Sequence, residues 1–150
     1  MVALEPKTHA DVQRVLGKVA AVAGLDAQAA ATVWRHIDAA VSAAAQSLPA
    51  SVRRTRVYFE VNPGPYAAGE ASFIGQLLHM LGAANVVPGS LGPFPKLNPE
   101  FVVRAHPDVL ILGQQDALGL AQRPGWGRMA AVREHRVCAI APAQYDVLAR

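Results

Sequence analysis

The sequence predicts an α/β fold of three layers, in which helices cover both faces of a small and largely parallel sheet. Two short runs suit strands. RVYFEV at residues 56–61 alternates β-branched and aromatic residues with polar ones, as in a half-buried strand, and VLIL at residues 109–112 is unbroken and apolar. Segments with helical periodicity stand before and between these runs. This alternation is typical of parallel sheets, whose crossover connections are usually helices.

The first third of the chain predicts two helices. Thr8 is the expected N-cap of the first, with Asp11 completing a variant of the capping box, and apolar residues follow at helical spacing until Gly24 ends the helix. Asp26 is the expected N-cap of a second, alanine-rich helix that continues towards Pro49. A short basic segment then leads into the first strand.

We expect the loop after the first strand to face a ligand. Asn62-Pro63-Gly64-Pro65 stops strand pairing because proline has no backbone N–H and glycine permits a sharp turn. The loop continues through Tyr66 to Ser72, the expected N-cap of the helix FIGQLLHML, which Gly82 ends. In open α/β sheets, ligands bind at the carboxyl ends of the strands, where such loops lie.

The second half of the chain predicts shorter elements. A short strand is expected at Asn85–Val87, followed by a loop rich in proline and glycine that carries Phe94. Asn98 and Pro99 begin a helix that stops before Pro107. After VLIL we expect a polar loop over residues 113–125 with a single turn of helix, a short helix over residues 126–132 and a last strand over residues 136–140.

Composition and charge exclude several classes of protein. The chain has 150 residues, 52% of them hydrophobic and 17% charged, which suits one globular domain. Its net charge is +3, but the 14 basic residues are dispersed, so a nucleic-acid surface is not predicted. The single cysteine, Cys138, cannot form an internal disulfide and is expected to be buried. No apolar run reaches the roughly 18 residues of a membrane span, and Met1 is not followed by a basic and then an apolar segment, so no signal peptide is predicted in this sequence.

Catalytic and metal-binding motifs are weak. Residues 125–130, GWGRMA, fit G-x-G-x-x-A, but a dinucleotide-binding loop follows its strand directly and this one does not. The nucleophile elbow, the P-loop and the H-E-x-x-H zinc motif are missing from the sequence. The histidines are scattered, so no local metal site is predicted. His79 is a candidate haem ligand, with an ordinary surface histidine as the alternative.

The order of several motifs is more specific than any one of them. RVYFEV with NPGPY, AGEASFI, GAANV, PFPKLNPE and HPDVLIL follow one another along the chain. This order resembles the C-terminal lobe of the periplasmic substrate-binding proteins of ABC importers that carry vitamin B12, haem or ferric siderophores. The resemblance covers residues 4–150. It implies two α/β lobes joined by one long rigid helix, with the ligand in the cleft between them.

The resemblance also implies a division of the chain. Residues 1–25 would be a lead-in and the inter-lobe helix, which Thr8–Leu25 resembles, and residues 26–150 would be the C-terminal α/β lobe. A first lobe and a final helix of the family are expected to be absent from this chain. The inter-lobe helix would then expose apolar surface and favour self-association. In the full-length protein, the expected location is periplasmic, or anchored to the membrane outside the cytoplasm.

The resemblance assigns a set of ligand-binding residues. Tyr66 and Phe94 would be the aromatic residues of the first and second cleft loops, where flat macrocycles or catecholate chelates are held by apolar faces. The alternative is that both rings anchor their loops to the core. Gly69 and Ser72 belong to the same set, although a glycine and a serine there also suit loop shaping and helix capping. A third cleft loop would contribute Tyr145, Asp146 and Arg150.

Glu100 matches the glutamate with which this lobe of the family docks onto arginines of the membrane permease. The alternative is a favourable interaction of a first-turn carboxylate with the helix dipole. The predicted function is therefore capture of a corrinoid or iron chelate and its presentation to a permease, without catalysis and without a resident cofactor. The competing hypothesis is a small α/β nucleotide-binding or enzymatic domain that uses the loop at Gly125 with Asp116 or Asp146.

Overall fold

The computed structural model describes Pro6 and residues 8–142. The predicted contacts Tyr145, Asp146 and Arg150 lie outside the described residues, as does most of the lead-in. The helices are α1 (His9–Val22), α2 (Ala27–Ser47), α3 (Phe73–Met80), α4 (Pro99–Ala105), α5 (Gln114–Leu118) and α6 (Ala130–Arg133). The strands are β1 (Arg56–Asn62), β2 (Tyr66–Ala67), β3 (Ala84–Asn85), β4 (Val109–Gly113) and β5 (Val137–Ile140). Short 3-10 turns occur at Ala50–Val52, Gly89–Leu91, Leu120–Gln122 and Trp126–Arg128.

The strands form one small sheet that is mostly parallel. β1 pairs in parallel with β4, and β4 pairs in parallel with β5. On its other side, β1 pairs in parallel with β3 near its start and antiparallel with β2 near its end. The predicted fold class is confirmed.

Two clusters of buried side chains pack on the two faces of the sheet. Tyr58 on β1 belongs to one cluster, together with Leu110, Trp126 and residues of α4 and α6. Its neighbours Val57 and Phe59 belong to the other cluster, which α3 completes. β1 is therefore covered on both faces, and its prediction as a half-buried strand is wrong. A central strand of a parallel sheet lies between two helical layers, so its polar residues are buried as well.

The predicted helix starts are confirmed by their caps. Thr8 and Asp11 form a reciprocal capping box, in which each side chain accepts from the other's backbone N–H at 3.1 Å. The other three N-cap side chains accept backbone N–H groups at 2.9 Å; these are Asp26, Ser72 and Asn98.

The helical hairpin of α1 and α2 is the least buried part of the fold. Ala20 is the single buried residue of α1, and α2 has none among its 21 residues. Exposed apolar side chains include Val22, Leu25 and Val33. α1 packs on both α2 and α3. The division of the chain at residue 25 and the predicted self-association stay predictions.

Four details differ from the sequence prediction. β3 covers Ala84–Asn85 and not the expected residues 85–87. Residues 113–125 are not a polar loop with one turn, since α5 begins directly after β4 and a 3-10 turn follows it. The helix predicted over residues 126–132 is divided at Met129, whose backbone is extended and whose side chain is buried. Cys138 is exposed, which corrects its predicted burial, because β5 is the outermost strand on its side of the described sheet. None of the helices in the described ranges is long and apolar enough to cross a membrane.

Candidate functional site

The carboxyl ends of the parallel strands lie at one edge of the sheet. β1 ends there at Asn62, β4 at Gly113 and β5 at Ile140. This edge is where open α/β sheets bind ligands. The segments that follow β1 and β3 carry the two predicted aromatic contacts.

Tyr66 is held in a short strand, not in a free loop. The chain turns at Asn62, whose side-chain oxygen accepts the backbone N–H of Gly64 at 3.1 Å, and β2 then runs back along β1. Tyr66 lies opposite Asn62 in this pairing. Its side chain is nevertheless 39% exposed, so a fixed backbone presents the ring to solvent.

The Phe94 segment lies directly beside β2. Backbone N–H groups of Ala67 and Gly69 donate to the carbonyls of Pro95 and Pro93 at 3.1 and 2.9 Å. Tyr66 and Lys96 form an antiparallel bridge. Phe94 is 44% exposed and, like Tyr66, belongs to neither core cluster of the described residues. The fold thus brings two exposed aromatic residues onto neighbouring backbone segments at one edge.

Lys96 adds a positive charge beside these rings. Its side-chain nitrogen lies 5.8 Å from the centroid of the Tyr66 ring, within the range of a cation–π contact. The sequence analysis did not select this residue. Its position depends on the pairing of two segments, which the chain order alone does not reveal.

Gly69 and Ser72 lie beneath this surface and shape it. A Cβ atom on Gly69 would lie 2.5 Å from the carbonyl oxygen of Gly92, so no larger residue fits without moving the Phe94 segment. Ser72 is fully buried, and its hydroxyl donates to the carbonyl of Gly69 at 2.7 Å while capping α3. Both residues thereby fix the course of the chain between β2 and α3.

A buried ion pair lies near the same edge and was missed by the sequence analysis. Arg123 donates two hydrogen bonds to the carboxylate of Glu60, at 2.7 and 2.9 Å, and the Glu60 side chain is fully buried. The hydroxyl of Tyr58 donates to the same carboxylate at 3.2 Å. The guanidinium carbon of Arg123 lies 4.7 Å from the centroid of the Trp126 ring, which is itself buried. This group fastens the segment between α5 and α6 onto the central strand.

The charge state of Arg123 follows from its surroundings. Burial by itself would lower the pKa of its guanidinium, but the hydrogen bonds to Glu60 and the negative charges of Glu60 and Asp116 outweigh burial and raise the pKa. Arg123 therefore stays positively charged. A glutamate at an inward position of β1 was the signal available in the sequence, but its partner lies 63 positions away in a segment predicted as loop.

Glu100 lies in the first turn of α4 and is exposed. Its backbone N–H donates to the N-cap side chain of Asn98 at 2.9 Å, so the backbone at this position is fixed. Its carboxylate is in no ion pair with another residue of the described chain. The position suits contact with a partner and also suits the helix dipole.

Two cavities lie elsewhere, along the outer side of β3. Their volumes are about 560 and 500 Å³, and they share Glu70, Ala84 and Asn85. Tyr66 and Phe94 line neither of these two cavities. His79 lines the first cavity, and its role as a haem ligand stays a prediction. Within Pro6 and residues 8–142, no three acidic, histidine or cysteine side chains are grouped as a metal site would require.

The segment proposed for the competing nucleotide hypothesis forms a tight turn. Gly125 has a φ of +83°, and a Cβ atom on Gly127 would lie 2.8 Å from the carbonyl oxygen of Ala121. Both glycines are therefore required by the local packing. α5 and a 3-10 turn separate them from β4, whereas a dinucleotide-binding loop follows its strand immediately.

Comparisons with known proteins give consistent matches. A family described as "Periplasmic binding protein" matches residues 1–143. The uncharacterized ABC transporter substrate-binding lipoprotein YvrC of Bacillus subtilis (strain 168) is 29% identical over 89 residues, which are 57% of this chain and 28% of that protein.

Solved structures show the same fold. A possible iron-binding periplasmic solute-binding protein from Staphylococcus epidermidis superimposes with a TM-score of 0.76 at 19% identity, covering 97% of this chain and 61% of that one. The vitamin B12 binding protein BtuF of Vibrio cholerae gives 0.68 at 16% identity, covering 96% and 60%. The chain thus spans less than two thirds of the length of these proteins.

Proposed function

Because the chain belongs to the periplasmic binding protein family, as its motifs predicted and the match over residues 1–143 confirms, we propose that it is the C-terminal lobe of an ABC importer's substrate-binding component. Its proposed cargo is a corrinoid or an iron chelate, and its proposed partner is the membrane permease. The observation that carries the proposal is the pair of exposed rings, Tyr66 and Phe94, on adjacent segments at the carboxyl edge.

The exposure of the aromatic edge supports this proposal. The family and the similar proteins reported above are named as binding proteins. A ligand held between two lobes needs only one wall from each, so an exposed aromatic surface suits one half of a cleft. The two similar structures have names that refer to iron and to vitamin B12, so the fold alone leaves the cargo open.

The family also bears on where the protein is located and on how the chain is divided. The family and the lipoprotein relative suggest a place outside the cytoplasm. We propose that residues 1–25 and the lobe at residues 26–150 retain the predicted division.

Removal of either exposed ring is expected to weaken chelate binding. Tyr66→Ala and Phe94→Ala should each lower the affinity about tenfold or more, because each removes an apolar face at the centre of the contact. The measurement is a spectroscopic titration with haemin, cyanocobalamin, a ferric tris-catecholate and a ferric tris-hydroxamate, beside a panel of nucleotides.

Leu118→Ala is the control for this titration, because Leu118 is also exposed and apolar but lies on α5. It should bind like the unmodified chain. Binding of nucleotides in place of all four chelates would overturn the proposal in favour of the competing nucleotide-binding domain.

Reversing the charge of Glu100 is expected to weaken docking to the permease. Glu100→Arg should lower the affinity of the full-length protein for its cognate permease by about tenfold or more, since it would oppose arginines on the partner. Asp38→Arg, an exposed position on α2, makes the same charge change elsewhere. If the two variants bound the permease equally well, Glu100 would have no special part in docking.

A further inference from the structure

The two segments that carry Tyr66 and Phe94 contain one charged side chain between them. Residues 62–66 and 92–98 are otherwise apolar, aromatic, amide or glycine, and the exception is Lys96. The aromatic wall therefore has a single positive charge of its own and no negative charge. Such a wall distinguishes ligands by their charge as well as by their shape.

The position of Lys96 is fixed by the pairing of the two segments. Its backbone bridges to Tyr66, and its ammonium group lies 5.8 Å from the centroid of the Tyr66 ring. The side chain is exposed, and no ion pair in the described part of the chain includes it.

Two carboxylates of the chain, Glu60 and Glu70, already have partners. Glu60 is bound by Arg123, and an oxygen of Glu70 accepts the backbone N–H of Gly89 at 2.9 Å. In the free protein, the ammonium group of Lys96 is satisfied by water and by its weak contact with the ring.

A ligand that covers Tyr66 changes this situation. It removes water from the ammonium group, and a desolvated charge without a partner is costly. A ligand with an anionic group within reach supplies a charge-assisted hydrogen bond. An uncharged ligand leaves the ammonium group desolvated and without a partner, so it binds more weakly. The difference in binding free energy between the two ligands is the specificity of the site.

We propose that Lys96 determines specificity in the cleft, so that the cargo is an anionic metal chelate with a conjugated or aromatic face and not an uncharged one. This inference rests on the proposed function. It separates the expected cargo into two groups. Haem, with its propionates, and ferric catecholates fit, whereas a ferric tris-hydroxamate, which has no charged group, does not.

The test compares each variant with the unmodified chain for each ligand separately. Lys96→Gln should weaken binding of haemin and of the ferric tris-catecholate about tenfold. It should leave binding of the uncharged ferric tris-hydroxamate unchanged or stronger. Lys96→Arg should retain the preference, and Lys18→Gln, an exposed lysine on α1, should bind all four ligands as before. Added salt should weaken binding of the anionic ligands to the unmodified chain more than to Lys96→Gln.

Two negative results have different meanings. If Lys96→Gln changed the affinity for anionic and uncharged chelates by the same factor, or changed neither, the inference would be overturned and the proposed function would stand. If the full-length protein bound none of the four chelates, the proposed function would fail and this inference with it.

Discussion

Replacing Arg123 by methionine is expected to destabilise the fold by about 3 kcal/mol, because it leaves the carboxylate of Glu60 buried without its cation. Glu60 is fully buried and receives both hydrogen bonds of the guanidinium, at 2.7 and 2.9 Å. The expected loss is at the lower end for buried pairs, since Arg123 retains 21% of its side-chain exposure. Unfolding by urea, followed by circular dichroism, measures the change in the free energy of unfolding.

Two further variants distinguish the buried pair from an ordinary surface pair. Arg14→Met breaks an ion pair with Asp11 on α1 in which Arg14 is half exposed, and it should cost less than about 1 kcal/mol. The double variant Glu60→Leu with Arg123→Met should recover much of the loss, because neither charge is then buried alone. If Arg123→Met cost no more than Arg14→Met, the pair would not be holding the segment between α5 and α6.

Replacing Gly75 by alanine is expected to destabilise the protein by about 3 kcal/mol through overpacking. Gly75 lies in the first turn of α3 and is buried. A Cβ atom there would overlap the carbonyl oxygen of Gly69 and lie 2.7 Å from the Cα of Glu70. Both are backbone atoms, so relief requires movement of the whole chain between β2 and α3, the same chain that fixes the edge at Tyr66.

Gly17 in α1 is the matched control. It is also a helical glycine, but nothing lies within 4 Å of a Cβ atom built on it. Gly17→Ala should stabilise the protein by about 1 kcal/mol, because alanine has the higher helix propensity. The midpoints of thermal and urea unfolding should therefore shift in opposite directions for the two variants, downwards for Gly75→Ala and upwards for Gly17→Ala. A shift of Gly75→Ala in the stabilising direction would show that α3 is not pressed against the loop.

The starts of the helices were determined by the sequence itself. Thr8, Asp26, Ser72 and Asn98 were predicted as N-caps, and each accepts a backbone N–H two or three positions ahead. Such contacts depend on neighbouring residues alone, so the sequence contains all the information they require. The family and the fold class were determined in the same way, by the order of local motifs and by the alternation of strands and helices.

The chemistry of the candidate site was decided only by the tertiary structure. Glu60 and Arg123 are 63 positions apart, and the bridge between Tyr66 and Lys96 joins two segments that lie on either side of α3 and β3 in the chain. The burial of Glu60 and the exposure of Cys138 depend on which strand is central and which is outermost. Periodicity reports which residues share a face of an element, but not what packs against that face. Pairing between distant segments therefore places Lys96 beside Tyr66 and Arg123 on Glu60.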